Sequence, residues 1–88
     1  MLEVKQAYLD LERAGKSLDI AEKQVKDATE SLNIIQGRFE QGMVIFLEVL
    51  DSQARYTQAL INEIRAFYDY RIAEKSLLRA MGVLKVEN

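Results

Sequence analysis

Apolar side chains recur along the first half of the chain at alternating steps of three and four: Val4, Ala7, Leu11, Ala14, Leu18, Ala21, Val25, Ala28, Leu32, Ile35 and Phe39. A helix keeps such positions on one side over many turns, whereas a strand would place apolar residues at every second position. The pattern is the seam of a coiled coil and predicts one long helix over about residues 4–41. Every second seam position is alanine, at 7, 14, 21 and 28. A partner can approach closely at the alanines, while the Leu, Val and Ile positions between them supply the buried area. Outside the seam, opposite charges stand four residues apart in Glu12–Lys16, Asp19–Lys23, Glu22–Lys26 and Lys23–Asp27. Pairs of that kind add a few tenths of a kcal/mol each and mark a solvated face.

The second half is periodic but broader. One line runs Phe46, Val49, Gln53, Tyr56, Leu60, Glu63, Phe67, Tyr70, Glu74, Leu77, Met81. Another, shifted by one, runs Leu47, Leu50, Ala54, Thr57, Ile61, Ile64, Tyr68, Arg71, Lys75, Leu78. Together they predict a helix over about 46–81 with a wide apolar surface. A helix with one partner needs only a narrow stripe, so this one is expected to touch two or more neighbours, with Leu47, Ile61, Ile64 and Tyr68 at the contact between hairpins. An untidy bundle helix is the plainer alternative.

Glycine marks the break between the halves. Gly37 keeps the seam's register and belongs inside the first helix, whereas Gly42 suits the left-handed residue that ends it. The turn over about 42–45 contains Met43, Val44 and Ile45, an apolar set that more often contacts something than decorates a surface. Gly42, Met43 and Val44 are therefore a candidate partner-binding tip. The plainer alternative folds Met43 and Val44 back over Phe39 and Phe46. Gly82 is expected to end the second helix as Gly42 ends the first. A turn this short makes the helices antiparallel neighbours. The predicted fold is all-α: one long antiparallel two-helix coiled-coil hairpin.

Composition narrows the functional classes. The chain has 88 residues, of which 12 are Lys or Arg and 14 are Asp or Glu, for a net charge of −2. Charge so nearly balanced argues against a broad nucleic-acid surface. With no Cys and no His, disulfides, thiolate metal sites and the usual neutral-pH base are excluded. The longest apolar run, Met43 to Leu47, is far shorter than the ~20 residues of a membrane-spanning helix, and no signal-peptide pattern opens the chain. A chain this short is usually marginal alone, and self-association is expected. Phosphate-binding glycine loops are missing. Glu48, Asp51 and Arg55 share a helix face, but Asp51–Arg55 reads as an ion pair and not as part of a metal site. No cofactor, metal site or catalytic activity is expected.

Arg38-Phe39-x-x-Gly42, followed by Phe46-Leu47-Glu48-Val49-Leu50-Asp51-Ser52-Gln53, resembles the TolC-type outer-membrane efflux proteins. Tyr68, Tyr70, Ala73, Leu77, Ala80 and Gly82 fit that family's Ala/Leu-rich ending, so the resemblance spans about Arg38 to Gly82. It implies a hairpin that packs beside others in a periplasmic α-barrel, completed by trimers, whose glycine-containing tip meets a periplasmic adaptor protein. By that resemblance the expected partners are the adaptor, at Gly42, Met43 and Val44, and neighbouring hairpins. The expected location is the periplasmic part of an outer-membrane protein. The amphipathic strands of the membrane barrel and the second hairpin of that architecture are not in this sequence, so the chain is expected to represent one hairpin, as a fragment or a decayed paralogue. It departs from the family at Ile45, where Ser or Thr is usual. Without that hydroxyl cap the second helix is expected to start elsewhere or to fray at the tip. Apart from the resemblance, an unrelated coiled-coil interaction module would account for the two long helices.

Overall fold

A computed structural model describes residues Leu2–Glu87, with side chains as far as Gly82. It consists of two helices, α1 (Leu2–Glu40) and α2 (Phe46–Glu87), folded back on each other as a hairpin. The helix continues through Gly82, which the periodicity predicts as its end. Gly42 is the one described glycine with positive φ, at 74°, so only Gly42 acts as a left-handed stop.

α1 packs as its pattern predicts as far as Ile35, whereas Phe39, the last position of the predicted seam, is exposed. Ala7 and Ala21 are buried, and Val4, Leu11, Leu18, Val25, Leu32 and Ile35 are half-buried. The outward Glu12, Lys16, Asp19, Lys23, Lys26 and Glu30 are all exposed. Two of the expected ion pairs form, Lys16–Glu12 at 3.6 Å and Arg55–Asp51 at 3.1 Å, both on exposed side chains. Arg13–Asp10 adds a third at 3.8 Å. Glu22–Lys26, Asp19–Lys23 and Lys23–Asp27 are not within ion-pair distance, and all of these side chains are exposed.

The inner face of α2 differs from either line traced through the sequence. It runs Val49, Ser52, Tyr56, Ala59, Glu63, Ala66, Tyr70, Ala73, Leu77, Ala80, and none of these is exposed. Alternate members belong to the first predicted line. The others, Ser52 and the alanines at 59, 66, 73 and 80, replace Gln53, Leu60, Phe67, Glu74 and Met81. The physical reason lies in the register. Tyr70 lies on Gly15, with its Cε1 3.5 Å from where a Cβ would sit. Counting outward from the turn, Leu32 comes level with Ser52, Val25 with Ala59, Leu18 with Ala66 and Leu11 with Ala73. The relation inverts in between, where Ala28, Ala14 and Ala7 come level with Tyr56, Tyr70 and Leu77. A large residue of one helix thus faces a small residue of the other at nearly every layer. Placing Phe67 or Met81 inward would set large against large and force the helices apart.

The shape reflects this packing. The Cα trace measures 69 × 13 × 13 Å. Two straight helices side by side would be only about 5 Å deep across their shared plane. Equal transverse extents mean that the pair winds around itself, as a seven-residue repeat requires. Subtracting one helix's Cα diameter from the 13 Å width leaves an axis separation of about 8 Å, the close end of the usual range.

Candidate partner-binding surfaces

The tip is built by backbone hydrogen bonds. The Met43 N–H donates to the Arg38 carbonyl at 2.8 Å and the Gly42 N–H to the Phe39 carbonyl at 2.9 Å. This is the paired closure of a Schellman motif, and it needs the left-handed residue that Gly42 provides. The motif satisfies the last carbonyls of α1 and turns the chain sharply. α2 then begins at Phe46 despite Ile45, because the Glu48 N–H finds the Ile45 backbone carbonyl at 3.0 Å. A side-chain cap is therefore dispensable here, and Glu48 in the first turn adds favourable charge at the helix N-terminus.

The apolar residues of the tip divide into two groups. Phe39 and Phe46 meet across the turn with ring centroids 5.6 Å apart and tilted by 51°. Val44 is half-buried, whereas Met43 is 68% exposed and Ile45 and Leu47 also face outward. The turn is thus partly plugged from within and partly open. Gly42 is itself exposed, and no atom lies within 4 Å of where its Cβ would be.

The second candidate surface is the outward face of α2. Leu47, Leu50, Ala54, Thr57, Ile61, Ile64, Tyr68, Arg71, Lys75 and Leu78 are all exposed. They follow the same heptad as the inner seam but lie about 150° around the helix from it. α2 therefore has two nearly opposite apolar stripes, one covered by α1 and one uncovered. The four residues expected at an inter-hairpin contact, Leu47, Ile61, Ile64 and Tyr68, all fall on the uncovered stripe, with Ile64 55% and Tyr68 62% exposed. Ile64 and Tyr68 border a shallow groove of about 590 Å³ with Leu18, Glu22, Glu63 and Phe67. Phe67 packs edge-on to Tyr68 at 6.0 Å and carries the Arg71 guanidinium over its ring at 5.8 Å. α1 has no comparable second stripe: Leu2, Tyr8, Leu9, Ile20 and Ile34 are exposed, but at heptad spacing Leu9 is followed by Lys16 and Ile20 by Asp27.

Among the described residues no cluster of acidic side chains could hold a metal ion, and no helix is long and apolar enough to cross a membrane. The chain matches the model of the outer membrane efflux protein family over residues 1–83, and it belongs to that family. Proteins of the family are structural channel components and not enzymes. No curated protein and no solved structure gives a significant match to the chain.

Proposed function

We propose that this hairpin is a wall segment of the periplasmic α-barrel duct of an outer-membrane efflux channel. In this reading the uncovered face of α2 abuts a neighbouring hairpin through Leu47, Ile61, Ile64 and Tyr68. The Gly42-Met43-Val44 tip docks a periplasmic adaptor protein. The observation that carries the reading is the two-sidedness of α2. A free-standing hairpin needs one apolar stripe per helix, and a second stripe is useful only where a further helix covers it. Membership of the efflux family supplies the setting, and the resemblance around Arg38–Gly42 supplies the role of the tip.

Met43→Asp in the intact efflux protein tests the docking role. The side chain is exposed, so the hairpin is expected to keep its helicity by circular dichroism. A carboxylate at an apolar contact with no partner costs roughly 1–3 kcal/mol, which corresponds to a loss of adaptor affinity of about 5- to 150-fold. Unchanged adaptor binding at unchanged helicity would remove Met43 from the contact and leave the turn as a connector.

A further inference from the structure

The stripe of α2 that faces away from α1 is exposed along its length. We propose that the 88-residue chain pairs with a second copy of itself, α2 against α2 and antiparallel, about a two-fold axis between Ile61 and Ile64. The inference is independent of the duct role, in which all tips point the same way.

Three observations converge on this partner. A copy's α1 is the wrong surface, because the face of α1 away from the seam carries Glu12, Lys16, Asp19, Lys23, Lys26 and Glu30 in the open. Burying an apolar stripe against that face would strand charges. A copy's α2 carries a stripe that is apolar except at Thr57, Arg71 and Lys75, and an isologous contact between identical patches closes without leaving a free end. Direction follows from the charges. In a parallel pair Arg71 and Lys75 would face their own copies in two successive layers, like charge on like charge. In the antiparallel pair the stripe reads the same from both ends: Leu47 comes level with Leu78, Leu50 with Lys75, Ala54 with Arg71, Thr57 with Tyr68, and Ile61 with Ile64. Lys75 of one copy then lies beside Asp51 of the other, twice by symmetry. Asp51 is exposed and held only by the surface pair with Arg55 at 3.1 Å, so it remains free to accept a second cation.

Area sets the strength. The stripe from Leu47 to Leu78 is about 47 Å long at the standard rise, and one helix presents a strip about 10 Å wide. The contact therefore buries about 1,000 Å² in total, at the threshold of a specific interface. Association is accordingly expected in the micromolar range and to weaken with salt.

Disulfide trapping tests the pairing directly, because the sequence contains no cysteine. Leu50 and Lys75 are exposed, so Leu50→Cys and Lys75→Cys leave the hairpin seam intact. The two single variants are mixed in a glutathione redox buffer. The expected product is the mixed Leu50→Cys/Lys75→Cys disulfide. Leu50→Cys alone should give little dimer, since the two copies of position 50 would lie roughly 37 Å apart along the antiparallel pair, far beyond disulfide reach. Efficient self-linking of Leu50→Cys would show a parallel pair and overturn the proposal. A single 10.1 kDa species by sedimentation of the unmodified chain up to several hundred micromolar would overturn it as well, leaving the stripe to a different helix. Charge reversal adds a readout that a merely apolar contact would not move. Asp51→Lys or Lys75→Glu alone should weaken dimerisation by about tenfold, and the two together in one chain should restore it. Failure of the double variant to recover would refute the register.

Discussion

Glycine is expected to act in opposite directions at different places in this hairpin, and the structure gives the sign at each. Gly37 lies inside α1 with no atom within 4 Å of the position a Cβ would take. Gly37→Ala therefore adds no clash and removes the entropic penalty of a helical glycine, about 0.5–1 kcal/mol. Gly15 is similar, except that the new methyl would meet Tyr70 Cε1 at 3.5 Å, an ordinary van der Waals distance that adds a contact instead of strain. Gly42 has equally open surroundings, but its φ of +74° puts an L-residue in the left-handed region at a cost of about 1–2 kcal/mol. Asparagine enters that region more readily, so Gly42→Asn should cost less than Gly42→Ala. In thermal melts at one fixed low concentration, Gly15→Ala and Gly37→Ala should each raise Tm, and Gly42→Ala should lower it. About 1 kcal/mol corresponds to roughly 4–8 °C in a chain of this size. If Gly37→Ala and Gly42→Ala destabilised equally, volume and not backbone conformation would be the constraint, and the assignment of Gly42 as the sole left-handed stop would fail.

Truncations should rank by seam position. Leu18 and Leu32 are half-buried, so Leu18→Ala and Leu32→Ala should cost about 1–2 kcal/mol, below the full range for an enclosed leucine. Lys16→Ala, which loses only an exposed ion pair at 3.6 Å, should cost about 0.5 kcal/mol or less. Denaturant midpoints for the three variants check the order, and equal effects would mean the seam is misplaced. Ala66→Leu adds bulk at a buried layer level with Leu18 and should destabilise by about 1–3 kcal/mol. The same exchange at the exposed Ala54 should be nearly neutral in the monomer, and paired melts of the two variants decide the point.

The outline of the molecule was legible because helical periodicity and a left-handed glycine are local signals. The α1 seam and the stop at Gly42 need no knowledge of a partner helix. The inner face of α2 was harder to see, because beyond Val49 its buried positions, Ser52, Ala59 and Ala66, are weakly hydrophobic. Ala59, Ala66, Ala73, Ala80 and Ser52 carry little apolar weight, while the exposed Phe46, Phe67 and Met81 carry much. A search that ranks positions by hydrophobicity therefore rotates the helix by part of a turn. A signal was present in the alanines at 59, 66, 73 and 80, which repeat every seven residues as Ala7, Ala14, Ala21 and Ala28 do. Two alanine ladders in one chain specify each other, but only once the antiparallel register is considered. Helix continuity past Gly82 was missed for a related reason: a glycine can end a helix or sit within one, and only its φ distinguishes the two. The candidate surfaces were visible from the excess of apolar residues in α2 and at the turn, although their division into covered and uncovered stripes required the three-dimensional register.

The layered seam closes at one end only. Ile35 and Val49 are near neighbours in the chain across the turn between α1 and α2, whereas Val4 and Ala80 are separated by nearly the whole chain. The entropy of closing the first layer is therefore small. Each later layer is already tethered by the one before it and adds mainly the ordering of its own residues. Such a molecule zips from the turn outward. Local opening is expected to grow easier with distance from Gly42, because no central core ties all layers into a single cooperative unit. The Schellman closure is thus both the sharpest bend in the backbone and the point from which order spreads, so strain introduced there should slow folding more than the same strain placed near the termini.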